Sequence, residues 1–149
     1  MTGPDFEAVQ DLINGQFLTT WSTGVAALGM DVPPVTWLDD PDEAKLRTGS
    51  VPWTRVTTKH LKRDVTTIGT LPGQGRITAE GVVMVNIFIP AGKRGSAVAA
   101  RLSKVALAAF EGQRAGEIYF TNAVVEEVGV DGVWLQYNVK AAFHYDNHL

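Results

Sequence analysis

The stretch IYFTNAVVEEVGVDGVWLQYNVKAAFHY, residues 118 to 145, decides the fold class. After Asp131-Gly132 the chain alternates. Val133, Leu135, Tyr137, Val139, Ala141, Phe143 and Tyr145 fall on one face of an extended strand, and Trp134, Gln136, Asn138, Lys140 and His144 on the other. Asp-Gly is a tight hairpin signature, because those types tolerate the positive φ that a two-residue turn requires. Two long antiparallel strands are therefore expected, with one face in the core and the other mostly wet or at an interface.

Working back toward the N-terminus, residues 87 to 110, IFIPAGKRGSAVAARLSKVALAAF, read as a strand end, a glycine turn with two basic residues, and a helix. Ser96 is placed to cap that helix, whose apolar stripe is Val98, Leu102, Val105 and Phe110, widened by Ala106 and Ala109. Arg76 to Pro90 forms a long strand with Val83, Val85, Ile87 and Ile89 on one face, and Gly81 is read as a bulge. From Val51, VPWTRVTTKH is a β-branched strand with Thr54, Val56 and Thr58 on one face and Trp53, Arg55 and Thr57 on the other; LPGQG, further on, is a turn. Val35 to Leu38 is a short strand before an acidic loop. At the start, Phe6, Val9, Ile13 and Phe17 recur at helical spacing, so residues 5 to about 21 form an amphipathic helix, with Pro4 suited to its first turn and Gly24, Gly29 and Pro33-Pro34 ending helical structure. The order predicts one α+β domain over residues 1–149: a mainly antiparallel sheet with two helices packed on one face.

Composition narrows the function. The chain has 149 residues, no cysteine, and 16 acids against 13 bases for a net charge of −3. That balance argues against a dedicated DNA binder, whose affinity comes from neutralising phosphates. The longest apolar run, Val82 to Pro90, is interrupted by Asn86 and is well short of the roughly 20 residues of a membrane span. The opening MTGPDFEAVQ carries an acid where a secretory signal has bases, so export by that route is not expected. Charge is clustered: Asp39, Asp40, Asp42 and Glu43 are acidic, and Lys59, Lys62, Arg63, Lys93 and Arg94 basic. Such clusters are either solvated loops or complementary contacts between subunits.

The residue patterns of catalysis do not assemble. A phosphate loop follows GxxxxGK[ST], whereas AGKRGS sets its two basic residues between the glycines and opens its helix without lysine. His144 and His148 follow a strand, so their four-residue spacing does not bring both to one metal. Glu126 and Glu127 are adjacent on a strand and face opposite sides. No catalytic, cofactor-binding or metal-binding residues are assigned, and no enzyme activity is expected. Trp53 and Trp134 are either core residues or interface anchors, a role in which tryptophan is enriched.

The strand ending IFIP, the turn AGKRG and the helix running to LAAF resemble the centre of the phage tail terminator family, the lambda tail protein U group. The leading helix ending near Phe17, the strand with Trp53 and Arg55, the glycine-interrupted strand from Arg76 to Ile89 and the closing VKAAFHY segment extend the resemblance over nearly the whole chain. It implies a structural virion protein, put together in the host cytoplasm, that forms a six-membered ring on the head-proximal end of the tail tube. Such a ring stops tube growth and offers the head connector its docking surface. The implied partners are further copies of the chain, the tail tube protein and the connector, with DNA passing through without specific binding and no membrane involved. In that picture Arg55, Lys59, Lys62, Arg63, Lys93 and Arg94 set charge at the joints, with the AGKRG turn and the loop from His60 to Gly75 making contacts, and Trp53 and Trp134 as anchors. Rival readings are another neck component such as a head completion protein, a tail tube subunit, and a small enzyme or ligand-binding domain with a pocket lined by Arg55, His60 and Glu80.

Overall fold

The computed structural model describes residues 5–38, 40–67, 76–92 and 94–148. The LPGQG turn, Pro4, Asp39 and Lys93 lie outside the described residues. The fold is α+β, and the described residues form three helices and a six-stranded mixed sheet that is mostly antiparallel.

Helix α1, Phe6–Ala27, starts where the Asp5 carboxylate accepts a 2.8 Å bond from the Ala8 amide, satisfying one free N–H of the first turn. Its Val9, Ile13, Phe17, Trp21 and Val25, each four residues from the last, are fully buried. Helix α3, Gly95–Ala108, lies on the same side and buries Ala99, Leu102 and Ala106. Both helices cover the face of the sheet that carries Val83, Val85, Ile87 and Ile89 with Val139, Ala141 and Phe143. Each large aliphatic or aromatic side chain buried here contributes about 1.5–3 kcal/mol. The sheet order is β1-β2-β3-β6-β5-β4. It comprises β1 (Val35–Trp37), β2 (Trp53–Thr67), β3 (Arg76–Pro90), β4 (Arg114–Ala115), β5 (Ile118–Asp131) and β6 (Trp134–His148), with a parallel β1–β2 pair and antiparallel pairing elsewhere.

Several expectations are corrected. Helix α1 continues six residues past position 21 and through Gly24, because that glycine is a packing residue. A Cβ there would lie 2.6 Å from Val105 Cγ1 of α3, so hydrogen lets the two helices approach. Ser96 lies inside α3 and does not cap it; the capping position is Arg94, in the left-handed region at φ 65° with no side-chain bond. The extra residue at the expected bulge belongs to β2, between His60 and Lys62 opposite Gly81. After the acidic segment a short helix, α2 (Glu43–Thr48), crosses the sheet face opposite α1 and α3. In the hairpin, Asp131 pairs with Trp134, leaving Gly132 (φ 61°) and the exposed Val133 as the turn.

Candidate interaction surfaces

The face of the sheet opposite the two long helices is drier than its polar sequence implies. Trp53 stacks on Phe88 at 4.1 Å between ring centroids and meets Trp134 edge-on at 6.2 Å, with Leu46 of α2 packed against the three. The Trp134 indole N–H donates to the Arg47 carbonyl at 3.1 Å, and the Arg47 guanidinium lies 5.4 Å above the Trp53 ring. Trp53 is fully buried and Trp134 only 9 % exposed, so in this chain both rings make intramolecular contacts and hold α2 to the sheet.

Next to this cluster a polar ladder crosses β2, β3 and β6 at paired positions. Arg55 donates from Nη1 to Glu43 Oε1 at 2.7 Å and from Nε to Asn86 Oδ1 at 3.2 Å; Asn86 Nδ2 donates to Asn138 Oδ1 at 2.7 Å, and Gln136 Nε2 donates to the same oxygen at 3.0 Å. Asn86 and Asn138 are buried, and these bonds make their burial tolerable. Arg55 is therefore engaged within the chain, tying α2 to β2.

The remaining basic candidates divide into two groups. Lys59, Lys62 and Arg63 are exposed along the outer half of β2. Lys62 pairs with Asp64 at 3.0 Å, and the Arg63 guanidinium lies 6.0 Å from the Phe6 ring. Arg94 is exposed beyond Pro90 at the opposite end of the sheet, about 30 Å away at 3.3 Å per strand residue. Local sequence does not separate these groups, since only the β2–β3 pairing sets Lys62 beside Glu80 and sends residue 94 away from it.

Arg55, His60 and Glu80 do not converge. Arg55 and Glu80 lie on the α2 side of the sheet, whereas His60 points to the long-helix side, its Nε2 2.8 Å from the Tyr145 hydroxyl and its ring edge-on to Phe6 at 4.3 Å. Burial, with the Arg63 charge nearby, holds the imidazole below its ordinary pKa; burial also raises that of the Tyr145 phenol. A shallow groove of about 250 Å³ lies between α1 and the β1–β2 edge, lined by Gln10, Asn14, Trp37, Leu38, Val56, Thr57 and Thr58. Among the described residues no group of three or more His, Cys, Asp or Glu side chains is gathered to hold a metal, and no helix is long and apolar enough to cross a membrane.

One surface was missed by sequence reasoning. Beyond Phe120, β5 leaves the cover of α3, and Val124, Val125, Val128 and Val130 stand 40–64 % exposed. The run VVEEVGV has no strict alternation, a signal that one face was not core, but the signal alone could not say which strand ends the sheet. Glu126 pairs with Asn138 and Glu127 with Tyr137, so the two carboxylates do face opposite sides.

No protein-family model matches the chain, and no curated sequence matches it significantly. Solved structures do match. One of 28 such chains, carried under a serial identifier with no description of activity, is similar over 91% of this chain and 94% of its own, at a TM-score of 0.60 and 19% identity. At that identity the likeness concerns the fold.

Proposed function

We propose that this protein is a phage tail terminator, a structural subunit that closes into a ring on the head-proximal end of the tail tube, stops its growth and presents the surface for head joining. The observation that carries the reading is the pair of unfinished sheet edges. Among the described residues β1 covers β2 only at positions 54–56, and β4 covers β5 only at 118–119. Long runs of backbone N–H and C=O are thus left without a strand neighbour on two sides, and such edges invite pairing with another chain. A subunit with one open edge on each side is suited to a closed ring, in which each copy covers its neighbour. The helix, strand and turn order is that on which the resemblance to the tail terminators rests. A net charge of −3 suits a ring through which DNA slides, and no retention of double-stranded DNA is expected at physiological salt. Micromolar binding there would count against the reading.

The test is electron microscopy of tails assembled in the parent phage with this gene disrupted. Overlong, headless tails are expected. Tails of normal length that only fail to join heads would transfer the protein to a connector role in the neck. Reversal of Lys93 and Arg94 to glutamate tests the turn as a contact, with reduced tube capping expected; unchanged capping would remove that turn from the interface.

A further inference from the structure

We infer that successive copies of this chain join head to tail through one continuous sheet, the open run of β5 in one copy (residues 120–131) pairing antiparallel with the open run of β2 (residues 57–67) in the next. The inference rests on the ring reading above and names its joint. Strand direction alternates through β2, β3, β6 and β5, so β5 runs opposite to β2. A second copy in the same orientation therefore meets β5 with an antiparallel strand, the better-bonded arrangement.

The two runs match in length, 11 residues (57 to 67) against 12 (120 to 131), and the short strands that cover the rest act as stops. With ends aligned, position numbers across the joint sum to about 188, which places Lys62 opposite Glu126 and Arg63 opposite Val125. The faces agree. Lys62 shares its face with Glu80 and His144, and Glu126 shares the same face with Asn138, whereas Arg63 and Val125 both lie on the long-helix side. The irregularities agree as well: the extra residue between His60 and Lys62 falls opposite the extra residue between Glu127 and Gly129, which keeps both sides in step.

Charge selects the head-to-tail pairing over self-pairing. The β2 run carries Lys59, Lys62 and Arg63 with one acid, Asp64; the whole of β5 carries Glu126, Glu127 and Asp131 with no base. Two β5 edges, or two β2 edges, would set like charges opposite each other, which destabilises a strand pair. The existing Lys62–Asp64 and Lys140–Glu126 bridges are largely exposed, contribute little, and can rearrange into a four-charge network across the joint. Exposed Leu61 and the β5 valines supply apolar area. Within one copy the two open runs overlap between the levels of His60 and Thr57 and then extend toward opposite ends of the sheet, since Phe120 is level with His60, Val124 with Thr57 and Gly129 with Trp53. Neighbours must therefore slide along the strands by about 20 Å at 3.3 Å per residue, the stagger that a closed, tilted sheet requires.

The chain has no cysteine, so disulfide trapping has a clean background. The full-length Lys62→Cys/Glu126→Cys variant is assembled with tail tubes, oxidised and run on a denaturing gel. Within one chain these positions lie three strand spacings, about 14 Å, apart across the sheet and about 20 Å apart along the strands, beyond the roughly 7 Å limit for a disulfide. A ladder of covalent oligomers is expected from the double variant and none from either single variant. Dimers from a single variant would mean self-pairing edges and overturn the inference. Rings that form without any ladder, or crosslinks only to the tube protein when its own cysteines are present, would overturn the joint and leave the ring reading standing. Absence of rings from the wild-type chain on tubes would remove both. As a second readout, Glu126→Lys/Glu127→Lys is expected to reduce the ring fraction at least tenfold, with recovery when Lys59→Glu/Lys62→Glu is added; no recovery would remove charge as the selector.

Discussion

Substituting alanine for Gly81 tests the account of the sheet beside the open β2 edge. Gly81 lies in β3 opposite His60, outside the left-handed region, so its backbone alone would accept any residue. On propensity, alanine in a strand interior should stabilise by about 0.5–1 kcal/mol. Space reverses the sign. An added Cβ would run into the Lys59 carbonyl oxygen of β2 and the Phe143 ring of β6, one of them backbone and the other buried in the core. Overpacking costs about 1–3 kcal/mol, and a clash with a backbone oxygen falls in the upper part of that range, about 2–3 kcal/mol, leaving a net loss of about 1–2 kcal/mol. In a chain of this size that lowers the Tm by about 2–8 °C. The matched control is Gly15→Ala on the exposed face of α1, where nothing lies within 4 Å and the helix should gain about 0.5–1 kcal/mol. Thermal unfolding followed by circular dichroism reads both. A Gly81→Ala variant melting at or above the wild-type temperature would refute the proposed close approach of β2, β3 and β6.

Arg94→Gly should stabilise by up to about 1 kcal/mol, since glycine relieves a left-handed residue but loses more chain entropy; a lower Tm would show that the Arg94 side chain makes an unrecognised contact. Trp134→Phe removes the donor to the Arg47 carbonyl and should cost about 0.5–1.5 kcal/mol while making Arg47 more susceptible to trypsin; unchanged cleavage would mean α2 is held by other contacts. For His60, the folded state favours the neutral ring while the unfolded chain takes up a proton near pH 6.5. Stability is therefore full above that pH and falls as pH drops through it toward the lower folded value, so denaturation midpoints should decline below about pH 6.5, less steeply in His60→Gln. An identical decline in the variant would assign it to other groups.

Much of this protein was legible from local pattern. The i, i+4 series Val9 to Val25 and the two-residue alternation of Val83 to Ile89 and Val139 to Tyr145 recur because each records one face of one element turned toward a core. Such periodicity stays within a single element, and what required the partner element was not legible. Gly24 reads as a helix stop until Val105 is seen against it; Trp53 and Trp134 read equally as core or anchor until α2 closes over them. The acidic segment gave little sign of α2, a six-residue helix held to the sheet by Leu46, Glu43 and the Arg47 carbonyl more than by helical propensity. The candidate site divides in the same way. Sequence alone identified the basic residues of β2, because charge is a property of single residues. That β2 and β5 carry the open runs among the described residues, with opposite charge, nearly equal length and faces in step, depended on the strand order β1-β2-β3-β6-β5-β4. An edge is defined by the missing neighbour, and only long-range pairing determines which strand lacks one.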